Sequence, residues 1–191
     1  MKQNYFESVT YKKSDFTKNA LQVGVYENCI FDGCDFSGAD LSNIKFTACE
    51  FIVCNLSLAK LNNTALREIK FQDCKLLGLV FENCNKFGLS FSFDKCILNH
   101  ASFYQAKLKN TKFINTQLQE VDFTECDLSG AVFDNCNLDR AVFQHTLLEK
   151  TDFSTAYGYA IDPEINRIKK ARFSSAGLAG LLYKFDLEII D

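Results

Sequence analysis

Tryptophan is absent from this 191-residue chain, methionine and proline occur once each, and histidine occurs twice. Each scarcity removes a class of reading. No apolar run is long enough to cross a membrane, so no membrane partner is expected. The single proline, Pro163, leaves almost every backbone N–H free to join a ladder. His100 and His145 do not fall at ligand spacing from the nine cysteines, which argues against a metal site. There is no G-x-S-x-G turn, Walker-type loop or dinucleotide fingerprint, and the carboxylates are spread rather than paired. The chain therefore reads as a non-enzyme with no cofactor. A net charge of −3 announces no direct nucleic-acid partner. The first residues already read as repeat rather than signal peptide, so a cytoplasmic location is expected.

What the chain does have is a five-residue beat. Phe6, Tyr11, Phe16, Leu21, Tyr26, Phe31, Phe36, Leu41, Phe46 and Phe51 begin a series of large apolar residues that runs to Phe81. The series resumes at Phe93 and continues through Phe103, Phe113, Phe123, Phe133 and Phe143 to Phe153. Two positions before each large residue there is usually a small one, such as Cys34, Ala39, Cys54 or Ala101. Neither a helix period of 3.6 nor a strand period of 2 produces this spacing, which points to a repeat architecture.

If each pentapeptide forms one side of a square coil, the large residue and the small one both point inward. Four sides then close a turn in 20 residues, and turns stack at strand spacing, about 4.8 Å. The cysteines obey the same arithmetic: Cys29 and Cys49 are one turn apart, as are Cys34, Cys54 and Cys74. A two-residue phase break falls in 82–92, where Cys84 and Phe87 are expected to keep an imperfect rung and Gly88 to permit a turn. Stacked cysteines at this spacing lie within disulfide reach, but the odd count and inward placement predict reduced thiols.

The segments "CDFSGADLSNIKF" and "CDLSGAVFDNCNLDRAVF" resemble the pentapeptide-repeat family. That resemblance implies an all-β solenoid, a right-handed quadrilateral β-helix, over residues 1–155, followed by a C-terminal cap over 156–191. The tail "AIDPEINRIKKARF" and "SSAGLAGLLYKFDLEII" is similar to the ends of Qnr-type quinolone-resistance and peptide-antibiotic immunity members. In the tail, Ser174 or Ser175 is expected to cap a helix running to about Lys184, with a terminal strand from Leu187 to Ile190. The resemblance implies end-to-end homodimers, with Leu178, Leu181, Leu182, Phe185, Leu187 and Ile189 as the candidate interface. Gly177 and Gly180 would let a second backbone approach there.

It also implies that the rod mimics DNA and binds DNA gyrase or topoisomerase IV, giving resistance or immunity to a topoisomerase poison. The 20-residue turn groups Asp32, Glu50, Asp73, Asp94, Asp134 and Asp152 on one side as the candidate contact, diluted by Lys70, Lys95 and Lys112. A scaffold for an unrelated protein partner is the alternative, and the distribution of surface charge separates the two.

Overall fold

The computed structural model describes residues 4–188 and 190. The chain winds into a solenoid in which every strand pairs in parallel with the strand one turn away. One sheet takes β1 (Asn4–Glu7), β3 (Gly24–Glu27), β5 (Lys45–Thr47) and β7 (Ala65–Arg67). A nine-stranded sheet takes β2 (Thr10–Lys12), β4 (Ile30–Asp32), β6 (Glu50–Ile52), β8 (Ile69–Gln72), β9 (Phe91–Asp94), β10 (Lys112–Ile114), β11 (Val132–Asp134), β12 (Asp152–Phe153) and β13 (Arg172–Phe173). Two further columns of single bridges complete the square. One runs Asp15–Asp35–Asn55–Lys75–Ile97–Gln117–Asn137–Tyr157, and the other contains Asp40–Lys60 and Val80–Ser102–Asp122–Val142. These four columns are the first, second, third and fourth sides below, in chain order; after the phase break the first side continues as Lys107–Asp127–Leu147–Arg167. Pairing reaches Arg172 and Phe173, so coil geometry persists past residue 155 although the apolar beat fades.

Stacking of like on like builds the core. Phe113 lies on Phe133 at 4.8 Å and 0°, and Phe103 on Phe123 at 5.4 Å and 2°, while rings on neighbouring sides meet edge to face. At the open end Phe6, Tyr11 and Phe16 stack on Tyr26, Phe31 and Phe36. Tyr5 points outward, because in its pentapeptide the beat residue Phe6 takes the inward place.

The small residue sits in the corner, where its neighbour's turn leaves little room. All nine cysteines are free and buried there. The thiols other than that of Cys84 donate to main-chain carbonyls of the coil below, as Cys54 does to Phe31 (3.2 Å) and Cys136 to Phe113 (3.3 Å). Threonine uses the same geometry: the Thr146 hydroxyl donates to the Phe123 carbonyl at 2.9 Å. Burial pushes the thiols of Cys49, Cys84, Cys126 and Cys136 up to about 12. Adding reductant is expected to leave the melting temperature unchanged, whereas a disulfide would contribute about 2–4 kcal/mol. A large drop in a thermal melt would contradict free thiols, and slow labelling of native protein by a thiol reagent checks their burial.

Turning a square corner every five residues requires left-handed backbone. Gly33, Gly38 and Gly130 take φ of 64°, 64° and 71°, and asparagines such as Asn43, Asn63, Asn110 and Asn135 serve at equivalent corners. Asparagine tolerates this conformation because its short amide can bond locally. At Gly130 a Cβ would lie 2.5 Å from Asn110 Oδ1, so a larger residue there requires that exposed amide to rotate aside. The residue preceding the large one also has a local task. Asp35, Asp40, Asp122 and Asp152 accept the N–H two positions ahead, from Ser37, Ser42, Thr124 and Ser154 at 2.8–2.9 Å. These are Asx turns, and they give the acidic position of the repeat a structural cause.

The phase break differs from expectation in one respect. The bond from Asn85 N–H to Thr64 O keeps the regular register, as Ala65 N–H to Ile44 O does one coil before, whereas Ile69 pairs with Phe91. The two extra residues thus fall within 85–90. Cys84 stays buried and Gly88 turns at φ +69°, as the sequence predicts. Phe87 leaves the rung: it is 77% exposed, with the Arg67 guanidinium 5.1 Å from its ring. Leu89 and Phe91 pack inward instead.

The tail caps the last coil. A helical segment runs from Ala176 through α1 (Ala179–Leu182) to Phe185, and Ser174 Oγ accepts the Gly177 N–H at 3.1 Å. Gly177 and Gly180 do admit a close approach, but from their own chain: a Cβ on Gly180 would meet Tyr159 O at 2.3 Å, and Gly180 O accepts the Ile161 N–H. The predicted terminal strand does not form at Leu187, Glu188 or Ile190. Asp186, left-handed at φ +49°, turns the chain away after the helical segment.

Candidate functional surfaces

With the interior filled by side chains, recognition falls to the outer sides. The 20-residue register does bring Asp32, Glu50, Asp94, Asp134 and Asp152 onto the second side, with Asp73 at its corner. The same side and corner carry an equal number of cations: Lys12, Lys13, Lys70, Lys95, Lys112 and Arg172. Several of these carboxylates are already engaged. Glu50 pairs with Lys70 at 2.9 Å and Asp152 with Arg172 at 3.0 Å, while Asp134 accepts the Thr155 hydroxyl at 2.8 Å. Burial would raise the Asp152 carboxyl, but the Ser154 hydrogen bonds and Arg172 outweigh it and hold it low. The side is therefore balanced in charge rather than continuously negative.

The acidity lies on the opposite side. Asp40, Glu82, Asp122, Glu125, Asp162 and Glu164 occupy the fourth side and its corner, where Lys60 is the one cation of the repeat. Lys184 of the cap reaches this side and pairs with Asp162 (2.9 Å) and Glu164 (2.6 Å). Those bonds raise the Lys184 ammonium above its ordinary value and, with the Glu164 N–H, depress the Asp162 carboxyl. The Ser42 hydrogen bonds hold Asp40 low, so it carries charge well into acid. A signal for this side was present in the sequence, because counting cations together with acids in each 20-residue column separates the two sides.

One small cleft of about 210 Å³ opens beside the phase break, lined by Phe81, Glu82, Leu89 and Ala106 among others. Glu82 Oε1 accepts the Ser102 hydroxyl at 2.9 Å, and its other oxygen is buried without a hydrogen-bond partner among the described residues. His100 and His145 project from corners of different sides. No group of three or more His, Cys, Asp or Glu among the described residues is arranged to hold a metal ion. No helix there is long and apolar enough to cross a membrane.

The cap leaves a second candidate surface. Leu178, Leu182, Tyr183, Phe185 and Leu187 are exposed along it. Leu181 packs against the chain's own core instead, and Ile189 lies outside the described residues.

The family described as a pentapeptide repeat region matches residues 25–91 and 79–153. No curated protein matches the chain. Among solved structures, full-length QnrB1, a plasmid-mediated fluoroquinolone resistance protein, is 18% identical, with 96% of this chain and 100% of that chain covered and a TM-score of 0.43. A trypsin-treated form of QnrB1 gives 20% identity, 97% and 99% coverage, and 0.45. HetL, involved in heterocyst differentiation regulation in the cyanobacterium Nostoc, is 13% identical over 89% of this chain and 86% of its own, at 0.42.

Proposed function

The chain belongs to the pentapeptide repeat family, and from that premise we propose a non-enzymatic binding protein whose acidic fourth side takes the place of DNA on a type II topoisomerase. The observation that carries this reading is the segregation of six carboxylates on one side and its corner against Lys60 and the cap's Lys184. A surface that holds phosphates through Lys and Arg also attracts carboxylates fixed on a rigid lattice. The topoisomerase as partner follows from the tail's likeness to Qnr-type members. Asp122→Lys combined with Glu125→Lys is expected to weaken binding to gyrase or topoisomerase IV by about tenfold or more at low salt. Asp94→Lys with Asp134→Lys, on the balanced second side, should weaken it less. A pull-down with a supercoiling assay, with and without a quinolone, reads both. Equal effects of the two pairs would remove the fourth side as the contact, and no binding at low salt would remove the topoisomerase.

The charge balance of the second side favours the other reading, a scaffold for an unrelated protein, and that reading takes over if no topoisomerase is bound. In either case the exposed apolar surface of the cap fits a two-fold homodimer. Leu178→Glu or Phe185→Glu is expected to shift the mass measured by light scattering from dimer to monomer. Wild-type protein that is monomeric at high micromolar concentration would leave the tail as a cap alone.

A further inference from the structure

A net charge of −3 averages over sides of opposite sign. On the first side, from the sixth coil onward, Lys107, Lys109, Lys150, Arg167, Lys169 and Lys170 stand against Asp127 and Glu149 alone. Only Lys109 has an ion-pair partner among the described residues, Asp127 at 3.2 Å. The backbone beneath these side chains is fixed by bonds between coils: Leu148 N–H to Arg167 O at 2.8 Å, Arg167 N–H to Thr146 O at 3.0 Å, and Lys150 N–H to Lys169 O at 3.0 Å.

Charge repulsion opposes the arrangement. Lys150 and Lys170 occupy matching corners of adjacent coils, both left-handed at φ +61°, where the two preceding coils place Asn110 and Gly130. A left-handed conformation disfavours a residue with a Cβ, Asn and Asp least. Like charges on adjacent rungs, about 4.8 Å apart, also repel. Earlier coils fill the same corner with Ser8, Asn28, Ala48, Glu68, Asn110 and Gly130, none of them a cation.

We propose that this edge is a docking surface for the phosphate backbone of duplex nucleic acid, bound without regard to sequence. Its cations form a rigid comb at rung spacing, so binding needs no ordering of the backbone. No exposed aromatic lies among them to stack on bases, which points away from single strands. Ile165 at the margin, 41% exposed, is a single aliphatic side chain and makes no apolar face to enter a bilayer. The inference is independent of the topoisomerase reading, because the acidic fourth side takes no part in it.

The test is fluorescence anisotropy of a labelled duplex of roughly 20 base pairs, titrated with the full chain from about 50 mM salt upward. Binding should weaken with a log–log salt slope of about −4, as expected for four or five phosphates contacted. Lys169→Glu with Lys170→Glu should weaken binding about tenfold or more while the thermal melt stays cooperative, and Lys150→Gln should give a smaller loss. No binding at the lowest salt overturns the proposal, as does equal binding by the charge-reversed variant. Tighter binding to phosphatidylserine vesicles or to polyglutamate than to the duplex overturns it as well, in favour of a membrane or an acidic protein.

Discussion

Phe123→Asp is expected to abolish folding. The ring is fully buried, stacked between Phe103 at 5.4 Å and Phe143 at 5.2 Å, and meets Phe113 and Phe133 edge to face. The substitution removes a large side chain from a packed column, a change that typically costs about 3–5 kcal/mol. It also leaves a carboxylate with no partner, at several kcal/mol more. The sum rivals the whole stability of a typical domain, about 5–15 kcal/mol. The variant should be insoluble or lack a cooperative melt. Soluble protein with a wild-type transition would show that the column is not where stability resides. Glu125→Lys, two residues away and exposed, should shift stability by no more than about 0.5 kcal/mol.

Alkali is expected to unfold the protein between about pH 9 and pH 11.5 through its thiols. Burial pushes Cys49, Cys84, Cys126 and Cys136 up to about 12 from an ordinary value near 9. A folded-state value above the unfolded one means that the contribution is fully present below pH 9 and is lost as pH rises towards 12. Each thiol then removes about 1.4 kcal/mol per pH unit, so four of them remove on the order of 10 kcal/mol by pH 11. Burial raises Tyr11 and Tyr26 in the same direction. Circular dichroism against pH, in reductant, measures the loss. Replacing Cys126 and Cys136 with alanine should move the midpoint upward, and a native signal that persists at pH 11.5 would contradict the buried thiols.

The coil was legible because the beat and the 20-residue cysteine spacing report the same geometry independently. Phe31, Phe103 and Phe123 are buried as the beat requires, and Cys54 and Cys74 face inward in one corner. The phase break was less legible, since Phe87, Leu89 and Phe91 offer three apolar residues for two inward places. Only the backbone pairing of Ile69 with Phe91 decides among them. Gly177 and Gly180 announced a close approach without saying whose, and Tyr159 supplies it from within the chain. The acidic column drawn from Asp32 to Asp152 omitted Lys12, Lys13 and Arg172, which share its side. A column of acids alone cannot report the sign of a surface. Likewise Leu181 and Leu182 look alike in sequence, yet the first packs inward and the second is exposed, because the short helical segment rests on Tyr159 and turns only one of them towards the core.

Nearly every hydrogen bond between coils joins residues about one turn apart, as from Leu118 N–H to Asn137 O or from Val142 N–H to Val121 O. Among the described residues no strand ties the first coil to the last. A rod wired this way has the mechanics of a peeled tape. Tension applied at one end loads only the outermost coil, while the remainder stays unstressed until that coil lets go. Each release frees about 65–70 Å of extended chain, so rupture proceeds in even steps at nearly constant force. Resistance to pulling then depends on the weakest terminal coil and not on how many coils the rod contains.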